Sequence, residues 1–254
     1  MRLLYDRYSF KCRLLLIAGF LFTCKAHAGD TLRVHFIGNS YTYFYNLTHL
    51  ISLLSDSLPK KLICTKSVAG GASLTDHIKG QRKLKTIPTL NRFKYDLVVL
   101  QDHSLRPLLH PDSMLHDGNI LCSMLKAKGA RILLYNTWAR KDNPQLQDSI
   151  DLAYRNLAAT CYADVVPAGK IWAYAKQLYP AIELYDADGS HPSQLGTYLN
   201  ALLFVHVIAG KLPARLPVEY FYPDRDGEQV RLIHISETDR YLCKNIVESY
   251  FQRQ

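Results

Sequence analysis

No stretch of this chain repeats and none is compositionally simple. That excludes solenoid arrays and low-complexity linkers. Its six cysteines include no Cys-x-x-Cys pair, so zinc-knuckle and dithiol redox motifs find no support. The apolar run from Leu14 to Thr23 falls short of the roughly 20 residues a membrane span needs. No long apolar lid suited to a lipid is present. No acid interrupts the stretch carrying Lys79, Arg82, Lys83, Lys85, Arg92 and Lys94. It reads as a solvated basic face, with contact to an acidic polymer such as a uronate-bearing polysaccharide as the alternative.

What is present begins with a leader. Arg2, Arg7, Lys11 and Arg13 precede the apolar run, and Ala26-His27-Ala28 follows it. Basic, then apolar, then Ala-x-Ala describes a secretory signal over residues 1–28. The expectation is an exported protein, periplasmic or extracellular, maturing near Gly29, with no stable membrane span after signal removal. An uncleaved anchor and lipid attachment at Cys24 are the alternatives. Without residues 1–28, the 31 basic and 22 acidic residues become 26 and 21, and the net charge of +9 becomes +5. Much of the basic balance therefore belongs to the leader, which weakens the case for a nucleic-acid partner, and none is expected. Cys64, Cys122, Cys161 and Cys243 remain, each in an apolar context. Export permits disulfides in any of three pairings, and buried free thiols are an equal reading.

Strand-length apolar runs alternate with helical patterns: strands at 32–37, 62–68, 96–101, 131–136 and 164–167, helices at 47–58, 73–84, 112–128, 145–162 and 170–178. The run Leu97-Val98-Val99-Leu100 is continuous rather than alternating, which implies burial on both faces of a parallel sheet. Ser193 caps a last helix whose stripe is Leu195, Tyr198, Leu199, Leu202, Leu203 and His206, closed by Gly210. The expected architecture is an α/β three-layer αβα sandwich on a central, mostly parallel five-stranded sheet. It occupies residues 29–217. Residues 218–254 form a C-terminal extension packed on it, with a turn at 224–227 and a helix at 236–251 carrying a capping-box pattern in Ser236 and Asp239.

In open parallel sheets, ligands gather beyond the carboxyl ends of the strands. Polar or glycine-rich segments stand at three of those ends. Strand one leaves through Gly38-Asn39-Ser40-Tyr41-Thr42, with the following helix pointing its amino end at the site. Strand two leaves through Ala69-Gly70-Gly71-Ala72, and strand three through Gln101-Asp102-His103-Ser104. Before the last helix, Asp188-Gly189-Ser190-His191 sets a carboxylate and an imidazole three positions apart. That pair is two thirds of the machinery that activates a serine. No recognised metal spacing links Asp102, His103, Asp188 and His191. Tyr41, Tyr43, Phe44 and Tyr45 crowd the loop after Ser40, and Trp138 follows strand four, as sugar-stacking or as ordinary packing residues.

Together these segments resemble the SGNH hydrolases, the GDSL esterase/lipase superfamily, over about residues 31–212. The chain is most similar to secreted bacterial members with a Gly-Asn-Ser-x-Thr first block. The resemblance implies a flavodoxin-like SGNH fold and a serine esterase that needs no metal or organic cofactor. Ser40 would be the nucleophile, His191 the general base and Asp188 its orienting partner. The oxyanion hole would comprise the N–H of Ser40, Gly70 or its neighbour Gly71, and a third donor. The usual Gly-Asp-Ser-Leu is altered at Asn39 and Tyr41. The third block, ordinarily Gly-x-Asn-Asp, has His103 at the Asn position, which leaves His103 or Gln101 as the third donor. The implied substrate is a small acylated molecule or polysaccharide, with O-acetyl carbohydrate favoured. A non-catalytic glycan-binding protein and an O-acyltransferase with the same triad are the competing functions. The oligomeric state stays open.

Overall fold

Strands β1 (Thr31–Gly38), β2 (Lys61–Val68), β3 (Leu97–Leu100), β4 (Arg131–Asn136) and β5 (Asp164–Pro167) pair in parallel, in the order β2-β1-β3-β4-β5. The computed structural model describes residues 31–253. The leader, the maturation point and Cys24 lie outside the described residues.

Side chains alternate across the strands and so feed two cores. Val34, Phe36, Leu97, Val99, Leu133 and Tyr135 face one. Ile37, Val98, Leu100, Ile132 and Leu134 face the other. All four residues of β3 are buried, which is why that run never alternates.

The first face is covered by α2 (Leu47–Ser55), α8 (Ala168–Leu178) and α9 (Gln194–Ala209), and the second by α3 (Leu74–Lys79), α4 (Thr86–Arg92), α6 (Pro111–Ala127) and α7 (Gln147–Cys161). The one-turn helices α1 (Ser40–Tyr43) and α5 (Arg106–Leu109) follow β1 and β3. Helix α9 is apolar nearly all round because it is buried nearly all round. Ser193 caps it by accepting from Gly196 N–H at 3.1 Å, and Gly210 ends it at φ 81°.

Residues beyond 217 form an antiparallel hairpin, β6 (Glu219–Pro223) and β7 (Gln229–His234), and helix α10 (Glu237–Gln252). Tyr220, Ile233, Ile235, Cys243, Ile246 and Val247 enter the same core as α9. The hairpin has too little apolar alternation to be read from sequence alone. Among the described residues no helix is long and apolar enough to cross a membrane.

Three expectations change. The helix read at 73–84 stops at Lys79, where Gly80 turns left-handed at φ 66°. The helix expected at 47–58 is found as α2, but α1 and a tight turn at Phe44–Asn46 stand between it and β1, so the amino end at the site is that of α1. The helix amino end at the site is therefore one turn long. Of the four cysteines, Cys122 and Cys161 form a disulfide joining α6 to α7, whereas Cys64 and Cys243 are free. Both readings of the thiols are thus half right.

Candidate active site

The strand order reverses at β1, so the loops leaving β1 and β3 part on either side of a crevice at the carboxyl edge. Into that edge the chain brings Ser40, which is buried to within 8% of its surface. A Cβ on Gly38 would run into Thr42 Oγ1 and Gln101 Oε1, so the turn into Ser40 needs a glycine.

Asn39 locks the turn. Its Oδ1 accepts from Tyr41 N–H at 3.1 Å, and its Nδ2 donates to Ala72 O at 3.0 Å and Asp102 O at 3.3 Å. One side chain thereby ties together the exits of β1, β2 and β3. Aspartate has no N–H and would lose both donated bonds, which gives Asn39 a physical reason.

His191 arrives from the loop before α9. Its Nε2 lies 2.8 Å from Ser40 Oγ, and its Nδ1 lies 2.5 Å from Asp188 Oδ2. The other carboxylate oxygen of Asp188 accepts from the backbone N–H groups of Ser190 at 2.9 Å and His191 at 2.8 Å. Gly189, at φ 65°, makes the tight loop possible. Burial pushes the Asp188 carboxyl up. The hydrogen bonds from the His191 ring and from the two backbone N–H groups outweigh it and bring the pKa to about 2. The carboxylate is therefore ionised throughout the neutral range.

Aromatic rings fix the imidazole. Phe44 stacks on it with centroids 4.2 Å apart and planes 12° apart, and Tyr41 meets it edge-on at 5.5 Å. Tyr41 in turn bonds Ser190 Oγ at 2.6 Å and stacks on Trp138, whose Nε1 donates to Ser190 O at 2.9 Å. Trp138 and Tyr41 are buried and act as the wall behind the loop, not as exposed sugar platforms. The left-handed backbone of Tyr45 (φ 46°) and Asn46 (φ 56°) is costly for non-glycine residues and turns the chain just after Phe44. Phe44→Ala is expected to lower kcat about 2- to 10-fold, the equivalent of one ring–ring contact. Phe44→Tyr should restore it. Steady-state turnover of a small ester reads both.

The second and third exits complete the edge. Gly70 lies against α1, where a Cβ would sit 3.5 Å from Tyr43 Oη, and its carbonyl accepts from Arg82 at 3.1 Å. Gly71, at φ 62°, makes the Ala69–Ala72 turn. Gln101 is fully buried and turned inward: Oε1 accepts from Asn39 N–H at 2.9 Å and Thr42 Oγ1 at 3.0 Å, while its amide donates to Asp102 O. This corrects the expectation that Gln101 stands free to donate. Asp102 is also spent on structure, with Oδ1 accepting from Leu74 N–H at 2.9 Å and His103 N–H at 2.7 Å. Burial pushes its carboxyl up, and these bonds with Arg106 only partly offset that.

His103 is half-buried. Its Nδ1 accepts from Leu105 N–H at 3.3 Å, which puts the ring proton on Nε2. Burial, then the charges of Arg140, Arg82 and Arg106, push its pKa down, so the ring is neutral with one N–H to give.

Residue patterns alone had not singled out Phe44 as a partner of His191, Ser190 as the anchor of Tyr41, or His77. The buried His77 donates from Nε2 to Gly38 O at 3.0 Å, directly behind the nucleophile turn. All three contacts join residues far apart in sequence or depend on a buried partner, so no local spacing signals them.

A scan against protein-family models matches nothing, and neither does a search of curated proteins. Solved structures do match. The chain is similar to a protein of Slackia heliotrinireducens assigned to the SGNH hydrolases, with 26% identity, a TM-score of 0.58, and coverage of 70% of this chain and 98% of that one. It is similar in fold to a DUF4886 family protein from Bacteroides uniformis, at 17% identity and TM-score 0.68, covering 88% and 95%. An acetyl-xylooligosaccharide esterase from Geobacillus matches at 16% identity and TM-score 0.56, covering 74% and 100%. The fold and the residue pattern therefore lead to the same place: the solved neighbours include SGNH hydrolases, lipases and esterases.

Proposed function

We propose that this protein of SGNH-hydrolase fold is an exported serine esterase that removes O-acetyl groups from carbohydrate. The observation that carries the reading is the continuous chain Ser40 Oγ, His191 Nε2, His191 Nδ1, Asp188 Oδ2, with separations of 2.8 and 2.5 Å. Ser40 Oγ attacks the ester carbonyl carbon as His191 Nε2 takes its proton. The tetrahedral oxyanion is met by N–H groups of Ser40 and Gly70 and by Nε2–H of His103. Collapse expels the alcohol, which takes the proton back from His191. Water, deprotonated by His191, then attacks the acyl-enzyme, and acetate leaves with Ser40 restored. Asp188, ionised, holds the imidazole in the tautomer with its proton on Nδ1 and stabilises the imidazolium that forms.

Two things support the substrate class: the leader-like segment at residues 1–28, which exposes the enzyme to glycans outside the cytoplasm, and the fold likeness to an acetyl-xylooligosaccharide esterase. The test is acetate release across a panel of acetylated polysaccharides. Release from none of them, with small acetyl esters also untouched, would refute the esterase.

The glycan-binding alternative draws on the altered third block, and His103 is where the two readings part. If His103 donates to the oxyanion, His103→Ala should lower kcat by about 10²–10³ with little change in KM. His103→Asn, which restores an N–H donor, should recover part of the loss. An unaltered kcat in His103→Ala would remove His103 from the oxyanion hole.

A further inference from the structure

One guanidinium at the mouth of the site has no counter-charge among the described residues. Arg82 leans on Asp76 and on the Gly70 carbonyl. Arg106 is paired with Asp117 at 2.7 Å and lies 3.8 Å from Asp102. Lys141 and Lys176 share Glu183, and His191 holds Asp188. Arg140 is exposed and makes no ion pair among the described residues.

Its place is not that of an ordinary surface cation. Arg140 sits in the loop after β4, and that loop is pinned to the segment bearing the triad. Tyr185 Oη donates to Ala139 O at 2.8 Å, and Lys141 N–H donates to Gly189 O at 2.9 Å, inside the loop from Asp188 to His191. Arg140 is thus held one residue from a direct contact with the triad loop. Its charge reaches both the His103 ring and Tyr41, which flank Ser40 from the exits of different strands.

Across the site, Arg82 is the one member of the basic stretch brought to the site edge. It adopts a left-handed backbone at φ 53°, and Lys83 follows at 60°. Such conformations cost a non-glycine residue about 1–3 kcal/mol. This strained turn places the guanidinium at 3.1 Å from the Gly70 carbonyl, beside the second strand exit. Lys79, Lys83, Lys85 and Lys94 remain exposed.

We propose that Arg140, with Arg82 on the opposite rim, selects esters whose alcohol part carries a carboxylate, such as an O-acetylated uronic-acid sugar. A guanidinium presents a planar fork that matches a carboxylate through two parallel hydrogen bonds. The small acyl group stays at Ser40, and the charge sits on the sugar, toward Arg140. This inference rests on the esterase reading for turnover but not for binding.

The test compares acetylated methyl glucuronate with acetylated methyl glucoside, a pair that differs in one carboxylate. At low salt, wild-type kcat/KM is expected to favour the uronate about tenfold, roughly the worth of one charge-assisted contact. The preference should shrink as salt is raised. Arg140→Gln should bring the ratio near one and Arg140→Lys should keep part of it. Lys94→Gln, at the opposite edge of the sheet, should leave the ratio where it was. A parallel arm measures binding of both esters to Ser40→Ala by calorimetry, where the same preference should appear without hydrolysis. If wild type hydrolyses neither ester, the esterase reading fails and the binding arm still decides this one. Equal affinity and equal turnover for the two esters, or a preference untouched by Arg140→Gln, would overturn it.

Discussion

Ser40→Ala is expected to lower turnover of small acetyl esters by about 10⁴- to 10⁶-fold, with the fold unchanged and the affinity for carbohydrate retained. The size of the effect follows from what the side chain does. Without Oγ there is no atom at 2.8 Å from His191 Nε2 to receive the acyl group, and no lesser route through the same covalent intermediate exists. Stability should barely move, because among the described residues Ser40 Oγ bonds only to the imidazole and its methylene stays in place. A fluorophosphonate should label the wild type at Ser40 and leave the variant unlabelled. The comparison also separates the three candidate functions. An esterase loses acetate release, while a binding protein shows none in either form. An acyltransferase shows slow hydrolysis that gives way to transfer when an acceptor sugar is added. Retention of full hydrolysis by Ser40→Ala would refute the assigned nucleophile outright.

Acidification from pH 7 to pH 4 should cost the fold several kcal/mol, before most carboxylates are protonated. His35 and His77 are buried, and burial lowers each from 6.5 to about 4. For His35 the nearby His77 charge adds to this, while for His77 the bond to Gly38 O and the charge of Asp76 act against it. The sign is therefore the reverse of a paired histidine. Between pH 6.5 and 4 the unfolded chain binds protons that the native chain refuses. Stability is full above about 6.5 and falls as pH drops toward 4. At about 1.4 kcal/mol per pH unit, each histidine contributes a loss of about 3 kcal/mol. The two interact, so their sum is an upper bound. Asp188 acts in a separate window: its stabilisation is present above the ordinary carboxylate pKa near 4 and is lost only as pH falls toward about 2.

Urea unfolding at half-unit steps of pH would measure the slope, and His35→Gln should flatten it by about one proton. A stability that is level from pH 7 to 4.5 would show that the two rings take up their protons in the native protein over the same pH range as in the unfolded chain. Activity should fall with stability on this limb. His77 Nε2 donates to Gly38 O and its Nδ1 takes a bond from Thr86 Oγ1 at 2.7 Å, so a second ring proton opposes Thr86 and loosens the turn into Ser40.

Both predictions show which parts of the molecule a linear reading can reach. The five strands were legible because each is a short apolar run. The parallel sheet was legible because Leu97 to Leu100 has no polar face to show to water. Asp188 and His191 were legible because three residues and a glycine suffice to bring their side chains together. Ser40 was legible only through its position at a strand end. Gln101 was misjudged as a free donor because the groups that turn its side chain inward by donating to Oε1, Asn39 and Thr42, are about 60 positions away, and the amide is then given to Asp102 O. The helix at 47–58 was legible from its leucine spacing and is found as α2, but the one-turn α1 and the left-handed backbone at Tyr45 and Asn46 that precede it leave no mark in that spacing. The pairing of Cys122 with Cys161, like the buried role of Trp138, depends on which helices and loops become neighbours.

By itself, then, the sequence determined the layered α/β architecture and the chemical types at the carboxyl edge. Those depend on local periodicity and on short-range turn chemistry. The tertiary structure decided which of those groups meet, which are spent on holding loops, and which charge is left over. His103 keeps an N–H to give because Leu105 takes its other nitrogen, and among the described residues Arg140 makes no ion pair, whereas its neighbour Lys141 reaches Glu183. Hydrogen bonds and ion pairs act over about 3 Å in space, while the residues that form them can be 150 positions apart in the chain.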